Sequence, residues 1–167
     1  MKKLLCTFLL LFSSCDSGTS EDSNIQEALR LHHLALASID TGYIDLAVNY
    51  LDQLKVLIPD EASVYANLGV AALRQNNLNL AIQYFEEGQK FAPTNYEIAI
   101  LKSQTLALKG NFEKAITEID KIILHSKDNI KLHWASVELN RGNDKKLIID
   151  SSNILNIKEE NLVAQLI

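Results

Sequence analysis

Two cysteines, two prolines, six glycines and one tryptophan are the whole supply of residues that staple, break or punctuate this chain of 167 residues. Both cysteines, Cys6 and Cys15, lie within the first fifteen residues. The rest of the chain therefore has no thiol for a disulfide, a cysteine metal site or a cysteine nucleophile. Scarce proline and glycine leave stretches of Leu, Ala, Ile, Lys, Glu and Gln uninterrupted, which favours helix over sheet and sets an all-α expectation. With 47% apolar residues the chain can still bury a core. A net charge of −5 provides no basic surface for nucleic acid, and Lys145-Lys146 reads as a solvated pair. There is no Gly-rich phosphate loop, no G-x-S-x-G and no H-E-x-x-H, so no catalytic constellation, cofactor or small-molecule substrate is expected.

What the chain does contain begins with a leader. Lys2-Lys3, the apolar run Leu4 to Phe12 and the small residues Ser13-Ser14 before Cys15 have the order of a secretion signal. The run is too short for a transmembrane helix, which needs about 20 residues. Residues 1–14 are thus expected to be removed. The segment ending at Cys15 resembles the lipobox of bacterial lipoproteins, although Phe12 stands where leucine is usual. That resemblance implies that Cys15 is acylated, that the membrane is a partner through its acyl chains, and that the protein resides in a bacterial cell envelope, facing the periplasm. Several chains on one residue make a durable anchor, because each buried methylene adds roughly 0.8 kcal/mol of membrane affinity. The alternative is an ordinary cleaved leader with Cys15 free. Asp16, directly after the cysteine, resembles an inner-membrane retention signal, a rule that differs between lineages and leaves inner and outer membrane both open. Asp16 to Asn24 has no apolar side chain, so residues 15–24 are expected to form a flexible linker spanning roughly 15 to 20 Å.

Beyond residue 24 the chain repeats itself with a period of 34 residues. Gly42, Asn76 and Gly110 share one column, followed by Ile44, Leu78 and Phe112, by Ala47, Ala81 and Ala115, by Leu51, Phe85 and Ile119, and by Asp60, Thr94 and Asp128. Glycine and asparagine tolerate the left-handed conformation that ends a helix, so the first column marks the turn within a hairpin. The alanines permit close helix approach, and the large residues one turn later fill the remaining space. Asp60, Thr94 and Asp128 are expected to be helix N-caps, with Thr94 and Glu97 forming a capping box. Pro59 and Pro93 close the second helix of a unit.

This pattern, with Leu68-Gly69, the alanine column, Phe85 and Pro93, resembles the tetratricopeptide-repeat family; Tyr65 stands where tryptophan is common. The resemblance implies a right-handed α-solenoid of antiparallel helix hairpins over residues 25–161. It comprises about four units, the fourth being two residues short and degenerate around Arg141-Gly142-Asn143. In the third unit Lys102-Ser103 replaces Leu-Gly, so its first helix is expected to pack more loosely. Residues 162–167, Leu-Val-Ala-Gln-Leu-Ile, are expected to form a short partial helix. That segment either docks back as a modest cap or leads into something longer.

Histidine is the remaining candidate for chemistry. His32 and His33 point about 100° apart on a helix and cannot both face one ion easily, and His125 and His133 lack partners at zinc-site spacing. They read as structural, with no metal expected. Glu86-Glu87 and Glu159-Glu160 read as solubilising charge, and Trp134 as core filling, with the lining of a contact surface as its alternative.

The family resemblance implies a concave trough lined by the first helix of each unit: His32, Leu36 and Ile39, then Ala66, Asn67, Val70 and Arg74, then Ile100, Gln104 and Ala107. Such a mostly apolar lining suits an amphipathic helix or an extended peptide. Leu36 and Val70 would supply affinity, Arg74 and Asn67 orientation. The lysine and asparagine pattern with which some family members grip a terminal carboxylate is absent. Three functional expectations follow: a non-enzymatic, lipid-anchored adaptor for a protein or peptide partner in an envelope complex; an N-terminal module of a larger secreted protein; and a histidine-dependent metalloenzyme, which requires bound zinc.

Overall fold

A computed structural model of the chain describes residues 19–141 together with Asn153 and Ile157. Seven helices are present among the described residues, and no strand: α1 (Thr19–Asp40), α2 (Ile44–Leu57), α3 (Ala62–Arg74), α4 (Leu78–Phe91), α5 (Tyr96–Leu108), α6 (Phe112–Ile123) and α7 (Ile130–Leu139). Helices α1 and α2, α3 and α4, and α5 and α6 pair as hairpins, and each hairpin leans on the next through α2 with α3, α4 with α5, and α6 with α7. The result is an all-α solenoid. No helix among the described residues is long and apolar enough to cross a membrane. The leader, Cys15, Asp16, Lys145-Lys146, the end of the fourth unit, Glu159-Glu160 and the segment 162–167 lie outside the described residues.

The turn columns behave as their chemistry dictates. Gly42, Asn76 and Gly110 have φ of 83°, 59° and 85°. This left-handed residue lets the next amide reach back over the helix end. Asn77 N donates to the Ala72 carbonyl and Asn111 N to that of Leu106, both at 2.9 Å. Pro59 and Pro93 act through the residue before them, which their rings push out of the helical region. Ile58 and Ala92 accordingly have ψ of 70° and 73° and end α2 and α4. Lys127 holds that column in the third hairpin, where α6 ends at Ile123 and the chain keeps helical dihedrals at Leu124.

The N-caps fall one residue later than expected. Glu61, Asn95 and Asn129, not Asp60, Thr94 and Asp128, adopt the extended backbone that precedes a helix. Asn95 Oδ1 accepts from Glu97 N and Ile98 N at 2.9 and 3.2 Å, and Asn129 Oδ1 from Lys131 N and Leu132 N at 3.0 and 3.4 Å. Asparagine serves because its short side chain folds over the first turn. Since the Glu97 amide is engaged by Asn95, the Thr94 to Glu97 capping box is replaced by a single-residue cap. At the other end of the array, α1 starts at Thr19, inside the stretch expected to be linker.

The hairpins close on a size match. Ala47, Ala81 and Ala115 are completely buried, as are Leu51 and Phe85, with Ile119 nearly so. Facing these large residues are Ala35, Gly69 and Ser103, also one repeat apart and completely or almost completely buried. The bulkiest, Phe85, meets the smallest: a Cβ at Gly69 would lie 2.4 Å from the Phe85 ring. Ala35 meets Leu51 in one cluster, and Ser103 shares its hairpin with the smaller Ile119.

The third hairpin differs beside Ser103. Lys102, in the Leu68 column, has only 13% of its side chain exposed and lies 3.2 Å from Glu118, itself 12% exposed. Lys102 Nζ also donates to Gln89 Oε1 at 2.9 Å, and Gln89 Nε2 donates to Glu118 Oε1 at 2.6 Å. Glu86 lies on the outer side of this triangle, 3.6 Å from Lys102. A polar network thus ties α4, α5 and α6 together where α3 makes apolar contact.

Two substitution tests follow from this packing. Gly69→Ala raises intrinsic helix propensity by roughly 1 kcal/mol. Because of the Phe85 ring, it is nevertheless expected to lower stability by about 1–3 kcal/mol in denaturant unfolding. In a Phe85→Leu background, which copies the Ala35 and Leu51 pair, the same change becomes neutral or stabilising. For the polar network, Glu118→Ala strands a largely buried ammonium and is expected to lower the melting temperature measurably. Lys102→Leu together with Glu118→Leu removes both charges, restores the apolar column and leaves the melting temperature unchanged or higher.

Candidate protein-binding surface

Along α1, α3, α5 and α7 the side chains divide into buried and open columns. Leu31, Ala35, Leu68, Gly69, Ala99 and Ser103 face the hairpin cores. One step round each helix lie the residues that sequence pattern assigned to the trough. Leu36, Arg74 and Gln104 are exposed, whereas His32, Ala66, Asn67, Val70, Ile100 and Ala107 are half-buried. Val70 packs against two successive hairpin cores, and Ile100 against the third. Their free surface is correspondingly smaller than their apolar character suggested.

Ile39 is a correction. It is only 5% exposed and belongs to the first core with Ala35, Ala47 and Leu51. Residues 31, 35 and 39 form one stripe at spacing four, while 32, 36 and 40 form the adjacent one. Asp40, not Ile39, is therefore the exposed end of the open stripe.

Trp134 is the second correction. Instead of filling a core it is 51% exposed on α7. The signal was available in the repeat: His32, Ala66, Ile100 and Trp134 stand 34 residues apart in one column, and that register holds through α7 despite the irregularity further on. Exposed Leu108, in the column of Arg74, was likewise passed over.

The histidines are placed as follows. The His32 and His33 rings are 6.2 Å apart and tilted by 37°. The exposed His125 donates from Nδ1 to the Lys121 carbonyl at 2.9 Å, at the end of α6. His133 is buried and donates from Nε2 to the Lys127 carbonyl at 2.7 Å, fastening the loop before α7 to its first turn. Among the described residues no three His, Cys, Asp or Glu side chains are grouped to hold a metal.

At the α1 end, sequence reasoning missed a cavity of about 350 Å³. Ile25, Ala28, Leu29, Leu54, Leu57 and Ile58 form its apolar wall, His32 joins it to the open stripe, and Asn24, Glu61 and Ser63 supply its polar groups. Arg30 donates to both Glu27 carboxylate oxygens, at 2.7 and 2.6 Å, and this bond holds the Glu27 carboxyl below its usual value. Glu61, the acidic residue of the lining, has no ion-pair partner among the described residues.

Comparisons with known proteins agree with this architecture. Residues 62–95 match the family model of the tetratricopeptide repeat. No curated protein sequence matches significantly. Among solved structures, MamA superposes with a TM-score of 0.70 at 17% identity, covering 84% of this chain and 84% of its own. A thermophilic tetratricopeptide-repeat protein of Thermus thermophilus gives 0.65 at 16% identity, covering 87% and 85%. The OM64 tetratricopeptide-repeat domain of Arabidopsis gives 0.63 at 15% identity, covering 71% and 98%. Stacked hairpins, a 34-residue register and a matched repeat at residues 62–95 together make this chain a protein of the tetratricopeptide-repeat fold.

Proposed function

We propose that the chain is a non-enzymatic scaffold, anchored through acylated Cys15 in a bacterial envelope, that captures a protein or peptide partner along the open stripe of its first helices. The exposed Trp134 carries this reading. A half-exposed indole keeps a large apolar surface in water, and tryptophan is among the side chains that most often dominate protein interfaces. It shares its stripe with Leu36, Arg74 and Gln104, which provide an apolar contact, a cation and an amide. A partner helix or strand lying across α1, α3, α5 and α7 would meet these groups in turn. The leader and Cys15 support the location, since a basic start, a short apolar run and small residues before a cysteine are what an acylation pathway reads.

Leu36 and Arg74 are exposed, so they can be changed without opening a core. Purified protein lacking residues 1–14 is expected to retain a defined partner from envelope extract and to show a blue shift of Trp134 emission on binding. Leu36→Glu with Arg74→Glu should reduce capture at least tenfold at unchanged helicity. Unchanged capture by that variant would remove the stripe as the binding surface. Anchoring is tested separately: Cys15→Ser is expected to move the protein from the membrane to the soluble fraction and to abolish palmitate labelling. Persistent labelling after that change would exclude Cys15 as the anchor.

A further inference from the structure

The cavity beside α1 has a filled counterpart in the same molecule. In the second hairpin the Tyr65 ring stacks on Phe91 with centroids 5.3 Å apart, and its hydroxyl donates to the Pro59 carbonyl at 2.7 Å. A Cβ on Gly88 would come within 3.4 Å of Tyr65 Cβ and 3.3 Å of the Ala62 carbonyl. Shifting these surrounding positions back by one repeat gives Leu57 for Phe91, Ile25 for Pro59, Leu54 for Gly88 and Ala28 for Ala62, all four of which line the cavity. Leu31 replaces Tyr65 and is itself buried in the first core. Two rings and a glycine of the second hairpin have thus become three leucines in the first, and an apolar cavity at the lower end of ligand-pocket size remains at the equivalent place.

We infer that this cavity is a receptor for one aromatic side chain of a partner peptide, with lysine or arginine flanking that ring. The template for the occupant is the Tyr65 and Phe91 pair, which shows what this scaffold accepts between the start of one first helix and the end of its second. The flanking charge follows from Glu61, which lines the cavity and has no ion-pair partner among the described residues, whereas Glu27 is neutralised by Arg30. Through His32 the cavity continues into the open stripe, so one extended segment can seat its ring here and run on past Leu36. This inference rests on the reading of the array as a protein-binding scaffold and adds the chemistry of its partner.

The test uses the protein lacking residues 1–14 and two short synthetic peptides, one with a phenylalanine between lysine pairs and one with alanine in its place. The phenylalanine peptide is expected to bind at least tenfold tighter, with affinity falling as salt rises. Leu57→Phe, which copies Phe91 into the cavity, should weaken that binding at least tenfold while the melting temperature holds or rises. Leu29→Lys, on the exposed wall, should do the same through charge. Equal binding of the two peptides, or binding undiminished in both variants, overturns the assignment. So does self-association of the protein that Leu57→Phe abolishes without peptide, which gives the cavity to a second copy, or palmitate outcompeting the peptide, which gives it to an acyl chain. Leu36→Glu with Arg74→Glu separates the two readings. If capture from extract depends on that pair while the peptides bind alike, the cavity assignment fails and the scaffold reading stands.

Discussion

Everything in this array depends on how closely the two helices of a hairpin approach. The approach is set by a small residue on the first helix and a large one on the second: Gly69 against the Phe85 ring, and Ala35 with Leu51 in one core, with buried Ser103 and Ile119 at the same repeat positions in the third hairpin. When one partner grows the other shrinks, because a close-packed interior has no spare volume for a methyl group. That match holds the hairpin geometry nearly constant while residue identities change. Constant geometry in turn lets hairpins of different sequence stack into one solenoid.

Variation appears where this constraint is relaxed. In the third hairpin the apolar column admits Lys102, whose charge is met by Glu118 and Gln89 from two neighbouring helices. The hairpin still closes, but through directional bonds that only this combination of side chains can make. In the first hairpin the constraint is relaxed at the edge of the core, where leucines stand in place of the Tyr65 and Phe91 stack and leave the cavity beside α1. The two departures have opposite chemistry: one fills its space with a polar network, the other leaves apolar walls facing solvent. Open volume thus remains where the repeat stops filling its own space.

How much of this was legible beforehand depended on whether a residue acts through its own backbone or through its neighbours. Gly42, Asn76 and Gly110 announce left-handed turns because backbone strain is local. Ala81 and Phe85 announce a core because helical spacing places them on one face. The caps were displaced by one residue, since Asp60 and Asn95 are equally able to cap and only the path of the preceding turn decides which amide lies within reach. Ile39 and Trp134 were assigned to the wrong side for a related reason. Apolar character says that a side chain gains by burial, but not whether its stripe faces a neighbour or water.

The amino-acid sequence by itself determined the helical class, the 34-residue period, the turn positions and the residue columns, because each follows from backbone preference or from spacing along one helix. The tertiary structure alone decided that Trp134 stands in solvent, that Lys102 joins three helices, and that an apolar cavity remains beside α1 in the first hairpin. These outcomes depend on volumes and partners contributed by other helices. No local preference encodes the distance between two helices; it emerges only when all their side chains have been packed together.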